Sequence, residues 1–362
     1  MQRAVRLPEP VASVAATNRW REGGSERAGF VGLDRNERVG ALPDWFVDEV
    51  RAAISSDLML TYPNANELHA ELAETTGIAP ERLLVTPGND PAIKAAYQCY
   101  VRPGDRVAML DPTYAMMRVY AGIFGAEAVT AGYGANLALD VDTLLAAVTP
   151  GVPLALVANP NQPTGTAMER DVLERLLERA DEAGTLVFVD EAYATFAPET
   201  SALPLLDAHP NLVVARTFSK IGLAGIRIGF LAGAPEVVRT FYKVRSAAEV
   251  NAVAIETARI LLRHPEIGAD YAAEVAAGRE LLEGRARELG LEPLPTHANF
   301  LQLRVRADGT QPTEIVAGVR ERGFLVRGPF AEPCLAGCFR VTLGPPALMA
   351  RFADALAATL SP

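Results

Sequence analysis

The sequence predicts an α/β fold in which helices cover both faces of a mostly parallel sheet, followed by a smaller α+β domain. Between about residue 80 and about residue 260, short apolar runs alternate with longer helical patterns, which is typical of βαβ units. Runs such as Leu-Ala-Leu-Val-Ala at 154–158 are apolar throughout, so these strands are expected to be buried on both faces. This alternation stops near residue 270, which indicates a second domain.

Each predicted element has its own signal in the sequence. A helix over 169–183 separates two strands, because Leu173, Leu176 and Leu177 recur at helical spacing. A long helix over 271–289 opens the C-terminal part of the chain. The predicted strands are 83–86, 106–110, 154–158, 185–189, 212–217 and 227–231 in the larger domain, and segments near 300–305, 324–327 and 339–343 in the smaller one.

The change of pattern divides the chain into two predicted domains. The large domain covers 43–270, and the small domain combines 1–42 with 271–362. The first forty residues are irregular and contain prolines, so we expect them to pack against the C-terminal part. The small domain is then discontinuous in sequence.

The composition argues against several classes of function. The chain has 362 residues, with 34 basic against 44 acidic side chains and a net charge of −10. Because such a surface repels phosphodiester backbones, no nucleic-acid partner is expected. No apolar run is long enough to span a membrane and no signal-peptide pattern is convincing, so the expected location is the cytoplasm. Cys99, Cys334 and Cys338 fit a reducing compartment, and no metal site is expected because no histidine lies near Cys334 and Cys338 in sequence.

Lysine is rare in this chain, which narrows the choice of a reactive amine. The lysines are Lys94, Lys220 and Lys243, and all the other basic residues are arginine. Lys94 lies inside a predicted helix and Lys243 in an arginine-rich one, whereas Lys220 directly follows a predicted strand. Any chemistry that needs an amine is therefore expected at Lys220.

Polar motifs follow successive strands, at the carboxyl edge of the sheet where ligands bind in open parallel sheets. Taken singly, each motif is also what an ordinary turn, helix cap or surface lysine looks like. Their order is more informative, because one chemistry uses this set: a lysine that forms a Schiff base, a carboxylate opposite a pyridine nitrogen, and a helix N-terminus with an arginine for a phosphate. That set describes pyridoxal 5′-phosphate. The motifs are Gly88-Asn89-Asp90, Asn159 to Gly165, Asp190 to Tyr193, and Lys220 to Arg227.

At these residues the sequence resembles the class I and II (fold type I) aminotransferases, and within them the histidinol-phosphate aminotransferase-like branch. The resemblance extends from about residue 33 to near the C-terminus. It implies a fold type I transferase whose large domain binds pyridoxal 5′-phosphate. The motifs that carry it are Tyr62-Pro63, Asp111-Pro112-Thr113-Tyr114, Asn159 to Gly165, Asp190-Glu191-Ala192-Tyr193, Thr217-Phe218-Ser219-Lys220 through Arg227, and Phe339-Arg340-Val341-Thr342.

The resemblance implies a role for each site residue. Lys220 would carry the cofactor and move the proton, and Asp190 would pair with the ring nitrogen. Tyr193 would donate to the ring hydroxyl, and Tyr114 would stack on the ring face. The residues that would complete the cofactor site are the turn of Gly88 with the amides of Asn89 and Asp90, the hydroxyls of Thr217 and Ser219, and Arg227 for the phosphate, with Gln162 or Asn161 at the ring hydroxyl.

Three further residues are implied at the edges of this site. Tyr62 would reach the phosphate in the neighbouring subunit, which implies a homodimer with shared active sites. Arg340 would bind the substrate carboxylate, or a phosphate in substrates that lack one, and Arg327 would be a second anion-binding arginine. A buried or interface tyrosine and a plain surface arginine are the alternatives for Tyr62 and Arg327.

The implied activity is transfer of an amino group between an amine or amino acid and a 2-oxo acid by a ping-pong mechanism, with histidinol phosphate as the favoured substrate. Two departures from the family stand out. Gln162 replaces the usual asparagine, which bonds the ring hydroxyl, and the segment 33–40, which normally closes over the substrate, keeps only Asn36-Glu37 of its usual motif. A lyase, decarboxylase or cyclase on the same cofactor is the alternative. A regulatory module that binds the cofactor is disfavoured, because no helix-turn-helix pattern precedes the resemblance.

Overall fold

The computed structural model describes residues 8–17, 27–306 and 310–361. The helices, numbered in chain order, mostly lie between strands and cover the sheets. They are α1 Ala12–Ala15, α2 Asp44–Ala53, α3 Ser56–Leu60, α4 Asn66–Thr76, α5 Asn89–Tyr100, α6 Ala115–Ile123, α7 Val141–Ala147, α8 Arg170–Ala183, α9 Pro235–Val244, α10 Ala252–Arg263, α11 Glu266–Glu288, α12 Pro312–Glu321 and α13 Pro346–Leu360.

The strands form one large sheet and two small ones. The large sheet has the order β2-β8-β7-β6-β5-β3-β4. The strands are β1 Val31–Gly32, β2 Leu83–Thr86, β3 Arg106–Leu110, β4 Glu127–Ala131, β5 Leu154–Ala158, β6 Leu186–Asp190, β7 Leu212–Thr217, β8 Gly229–Gly233, β9 Glu292–Pro293, β10 Phe300–Arg304, β11 Phe324–Leu325 and β12 Cys338–Thr342.

The large sheet is mostly parallel, as predicted. Strands β3 to β7 run parallel to one another, and β8 runs antiparallel to both β7 and β2. Every residue of β5 and β6 is buried. The side chains of Ala155 and Val157 pack into one apolar cluster, and those of Leu154 and Leu156 into another. This two-sided burial explains why the strands are apolar throughout.

The two small sheets share an apolar core that is separate from those of the large sheet. Strands β12, β10 and β9 are antiparallel, and β1 pairs in parallel with β11. Leu33 and Tyr271 are fully buried in this core. The α+β character expected for the C-terminal part is therefore present.

The N-terminal segment contacts both parts of the molecule. Val31 pairs with Phe324 in the small sheets, as expected for residues that pack on the C-terminal part. Residues 8–17 lie elsewhere, since the Ser13 hydroxyl donates to the carbonyl of Ile123 in α6 at 2.9 Å. Part of the predicted 1–42 segment, residues 1–7 and 18–26, falls outside the described residues. The division at 42/43 and 270/271 stays a prediction.

The structure shifts some predicted boundaries for identifiable reasons. Strand β4 was not predicted, because one residue of its five is buried and it lies at the sheet edge. Strand β8 begins at Gly229 rather than at 227, because Arg227 has a φ of 59°, which a strand excludes. Helix α11 begins at Glu266, five residues before the predicted start at 271. Among the described residues, no helix is long and apolar enough to cross a membrane.

Candidate active site

The turn after β2 forms a cradle suited to a phosphate. Gly88 has a φ of 88°, and α5 begins directly after it at Asn89. A Cβ atom at position 88 would lie 3.3 Å from Nη2 of Arg227, so the absence of a side chain lets this guanidinium approach the turn. The hydroxyls of Thr217 and Ser219 lie 2.8 Å apart. A helix N-terminus, two hydroxyls and an arginine thus surround one place.

Asp190 is a buried carboxylate at the end of β6. The Nδ2 atom of Asn89 donates to Oδ1 of Asp190, and the Ala192 amide donates to the same oxygen at 3.1 Å. Burial raises the pKa of Asp190 to about 6, against the opposing effects of the Asn89 hydrogen bond and the positive charge of Lys220. Because both bonds end on Oδ1, Oδ2 is the oxygen available to a further partner.

Lys220 follows β7 on a wide helical turn, Ser219–Leu223. Its Nζ atom lies 5.5 Å from the centroid of the Tyr193 ring. The Tyr193 ring meets Phe300 edge to face, with centroids 5.4 Å apart. The other lysines are exposed, Lys94 on α5 and Lys243 on α9. Lys220 is therefore the lysine that the fold brings to the carboxyl edge of the sheet.

Tyr114 precedes α6 and lies beside the phosphate turn. Its hydroxyl is 3.5 Å from Oδ1 of Asp90, whose other oxygen accepts from Tyr120 at 3.1 Å. Burial raises the pKa of the Tyr114 phenol, and the charges of Asp90 and Asp190 act in the same direction. The phenol therefore stays protonated and presents a neutral aromatic face near Asp190.

The side-chain amide of Asn161 stabilises the turn from Asn159 to Gly165 by hydrogen bonds. Its Nδ2 donates to the Pro112 carbonyl and to the Thr164 hydroxyl, each at 2.9 Å, and its Oδ1 accepts from Thr113 at 2.8 Å. Gln162 is half-buried beside it. Asn161 and Gln162 are the two residues predicted at the ring hydroxyl. The amide of Asn161 is occupied by these three bonds, whereas the side chain of Gln162 takes no part in them.

Arg340 is a buried arginine whose donors are incompletely used. Its Nη2 donates to the Asp34 carbonyl at 2.9 Å, whereas Nε and Nη1 are buried with no hydrogen-bond partner among the described residues. The guanidinium lies 5.2 Å from the centroid of the Phe300 ring, so Phe300 contacts both Arg340 and Tyr193. Burial lowers the pKa of Arg340 to about 10. A buried cation with free donors fits an anionic ligand.

The two remaining predicted residues are exposed in the single chain. The backbone of Arg327 pairs with that of Arg340, N–H to carbonyl at 3.0 Å, so the two arginines are neighbours although Arg327 faces solvent. Tyr62 is 92% exposed, and it follows the exposed side chains of Met59 and Leu60. The Tyr62 side chain therefore faces solvent in the single chain.

One residue near the site was not predicted as part of it. Asn36 is buried, and its Nδ2 donates to the Tyr193 hydroxyl at 2.9 Å. The signal available in the sequence was the Asn36-Glu37 pair, which remains of the family motif in the segment 33–40. Asn36 and Tyr193 are 157 residues apart in the sequence, so no local pattern reveals their contact.

Comparison with known proteins places this geometry in a family. The sequence model of the family described as "Aminotransferase class I and II" matches residues 29–356. A histidinol-phosphate aminotransferase of Symbiobacterium thermophilum is 34% identical over 336 residues, which are 91% of each chain. Histidinol-phosphate aminotransferase 1 of Carboxydothermus hydrogenoformans is 32% identical over 87% of this chain and 88% of its own.

A solved structure is similar along the whole chain. The histidinol-phosphate aminotransferase of Sinorhizobium meliloti, in complex with pyridoxal-5′-phosphate, superposes with a TM-score of 0.88 over 98% of both chains, at 26% identity. The family match covers most of the sequence. The chain therefore belongs to the class I and II aminotransferases, and the prediction of a fold type I, pyridoxal-phosphate-dependent aminotransferase is confirmed.

Proposed function

We propose that this aminotransferase takes the amino group of a donor that carries an anionic group and gives it to a 2-oxo acid, with histidinol phosphate as the favoured donor. The observation that carries the proposal is Arg340. Its buried guanidinium keeps two donors free, which suits the two oxygens of a carboxylate or a phosphate. Arg327 beside it adds a second positive charge at the same edge. The names of the relatives support the choice of histidinol phosphate.

The residues present fit pyridoxal 5′-phosphate. Backbone amides after Gly88, the hydroxyls of Thr217 and Ser219, and Arg227 would hold its phosphate, and Oδ2 of Asp190 is available to its ring nitrogen. When bound, this cofactor supplies an aldehyde that accepts the amino group and a ring that withdraws electrons from the substrate carbon. The negative charge of Asp190 keeps the ring nitrogen protonated, which strengthens that withdrawal.

Each side chain then has a task of its own. Lys220 would hold the cofactor through Nζ, and its free amine would accept the proton from the substrate carbon that carries the amino group. Tyr193 would donate its hydroxyl proton to the ring oxygen, with Gln162 as a second donor. Tyr114 would stack its ring on the cofactor face. The rings of Tyr193 and Phe300 form an aromatic pair that neighbours Lys220 through Tyr193 and Arg340 through Phe300.

A substrate panel tests the proposed donor. Purified protein loaded with the cofactor is mixed with single amines and amino acids, histidinol phosphate included, and the glutamate formed from added 2-oxoglutarate is measured. We expect histidinol phosphate to give the highest kcat/KM, with no turnover unless a 2-oxo acid is added. Turnover without a 2-oxo acid would instead indicate the lyase, decarboxylase or cyclase alternative, and higher kcat/KM with a donor that lacks a phosphate would contradict the favoured substrate.

Replacing Arg340 with lysine should weaken substrate binding. Lysine keeps the charge but cannot form the two parallel bonds of a guanidinium, so KM for the 2-oxo acid should rise roughly 10- to 100-fold with a smaller change in kcat. Steady-state kinetics measure both. Arg320→Lys is the matched control, because Arg320 also lies over a phenylalanine ring, 4.9 Å from the Phe30 centroid, but on the exposed side of α12. An unchanged KM in the Arg340 variant would remove Arg340 from substrate binding.

We also propose a homodimer in which Tyr62 serves the partner's site. The exposed side chains of Met59, Leu60 and Tyr62 form an apolar stretch that a second copy of this chain would cover. Tyr62 is then close to a phosphate cradle that it does not reach in its own chain.

Mixed dimers test this sharing of sites. Lys220→Ala and Tyr62→Ala proteins are each expected to be weakly active or inactive, and unfolding and refolding them together should restore about a quarter of the sites. This is because half of the random dimers are mixed and each mixed dimer holds one intact site. Activity and mass by light scattering are measured before and after mixing. If Tyr62 acts within its own chain, mixing restores nothing.

A cytoplasmic location and the absence of a nucleic-acid partner both rest on the sequence alone and stay predictions. Cell fractionation with an antibody to the protein tests the location. Retention on a nucleic-acid column at low salt would contradict the second prediction.

A further inference from the structure

We propose that Asn36 is a positioning residue for Tyr193: it fixes the direction of the hydrogen bond at the Tyr193 oxygen, so that the phenol proton points to the cofactor. The proposal rests on the proposed role of Tyr193 as a donor to the ring oxygen of the cofactor. It adds a residue from the N-terminal segment to a site otherwise built at the ends of the large-sheet strands.

The conformation of Asn36 is fixed by its surroundings. Its side chain and backbone are 2% exposed, and its φ of 57° lies in the left-handed region, which asparagine tolerates better than most residues. Its backbone N–H donates to the Thr342 hydroxyl at 3.0 Å, and its carbonyl accepts from Asn299 at 3.1 Å. Neither the backbone nor the side chain can therefore turn without breaking a buried bond.

The side chain of Asn36 joins Thr342 to Tyr193. Its Oδ1 lies 3.5 Å from the Thr342 hydroxyl, and its Nδ2 lies 2.9 Å from the Tyr193 hydroxyl. An amide nitrogen donates hydrogen bonds and does not accept them. The Tyr193 oxygen must therefore accept the bond from Asn36, and its own proton is free for a different acceptor.

The Tyr193 ring lies next to Lys220. Phe300 holds one edge of the ring, and Nζ of Lys220 lies 5.5 Å from its centroid. An acceptor bound through Lys220, the ring oxygen of the cofactor, is thus close to the phenol. Donation to that oxygen stabilises its negative charge and lowers the pKa of the nitrogen by which Lys220 holds the cofactor.

Asn36 also connects this bond to the substrate-binding strand. Thr342 and Arg340 are two residues apart on β12, so their side chains lie on the same face of the strand. Arg340 donates to the Asp34 carbonyl, two residues before Asn36. Both ends of the segment 34–36 are therefore hydrogen-bonded to β12. A shift of this strand would move Asn36 and thereby change its hydrogen bond to Tyr193.

The test is a pH titration of the visible absorbance of the cofactor-loaded protein without substrate. Asn36→Gly removes the amide while suiting the left-handed backbone, and Asn36→Asp keeps the shape but only accepts hydrogen bonds. Both variants should move the midpoint upward, by on the order of 0.5 to 1 pH unit for Asn36→Gly. Asn211→Ala, a change of a partly buried asparagine next to the opposite end of β7, should leave the midpoint unchanged.

A double-mutant cycle separates positioning of Tyr193 from general loosening of the fold. Tyr193→Phe alone should raise the midpoint, and Asn36→Gly should add nothing in that background, because the bond that it orients is already lost. A wild-type midpoint in both Asn36 variants, or a shift of full size in the Tyr193→Phe background, would overturn the inference. A wild-type protein that shows no visible band with added pyridoxal phosphate would instead refute the proposed cofactor site.

Discussion

Lys220→Ala protein should lose the visible absorbance band of the bound cofactor and at least about 10⁴-fold in kcat. The chain provides no substitute amine, because the other lysines lie on the exposed faces of α5 and α9. Absorbance spectra and single-turnover rates measure the two losses. Reduction of the wild-type protein with borohydride should further leave the cofactor mass on the peptide that contains residue 220.

The same chain supplies the controls for this experiment. Lys94→Ala and Lys243→Ala remove an amine of the same type from an exposed helix position, and both proteins should keep the band and the rate. Modified mass on a peptide with residue 94 or 243, or a normal band in the Lys220 variant, would refute the assignment of Lys220.

Asp190→Asn should lower kcat by at least on the order of 10²-fold and at the same time stabilise the protein without cofactor. The rate falls because a neutral amide cannot keep the cofactor nitrogen protonated. The stability rises because burial holds the pKa of Asp190 at about 6, above its ordinary value of 3.8. Above pH 6 the wild-type protein therefore carries a buried charge that the variant lacks, which corresponds to up to about 3 kcal/mol in the free energy of unfolding.

The pH dependence of the stability gained by Asp190→Asn tests this explanation. A carboxyl group with a raised pKa in the folded state contributes stability below its unfolded pKa, and that contribution is lost as the pH rises through 6. The advantage of Asp190→Asn should therefore be largest at pH 7 and shrink between pH 6 and about pH 4. Thermal unfolding without cofactor measures it, with the exposed Asp354→Asn as control. An advantage that does not depend on pH would contradict this explanation.

The sequence predicted the strands of the large sheet better than it predicted how distant segments meet. Strands β2, β3 and β5 have the predicted bounds, because each is a mostly buried and mostly apolar run. β4 has a mixed surface and was missed. The antiparallel direction of β8 has no local signal, because the sequence of a strand does not show whether its neighbours run parallel or antiparallel to it.

The same distinction applies within the site. Asp190 and Lys220 could be singled out in the sequence because Asp190 ends β6 and Lys220 closely follows β7. The bond from Asn36 to Tyr193 and the free donors of Arg340 depend on the packing of the small sheet, and composition does not reveal them. The commitment of the Asn161 amide to its own turn likewise appears only once Pro112 and Thr113 are placed beside it.

The residues that would hold the cofactor and those that would hold the substrate are carried by different sheets. Lys220 follows β7 of the large sheet, whereas Arg340 lies on β12 of the small one. Side-chain bonds across this joint include Asn36 to Tyr193 and Gln302 to the Pro163 carbonyl at 2.7 Å. A rotation of the small sheet against the large one would change the distance from Nζ of Lys220 to the guanidinium of Arg340. It would leave the phosphate cradle intact. The contacts between the two sheets would then set the length of substrate that fits between the amine and the guanidinium.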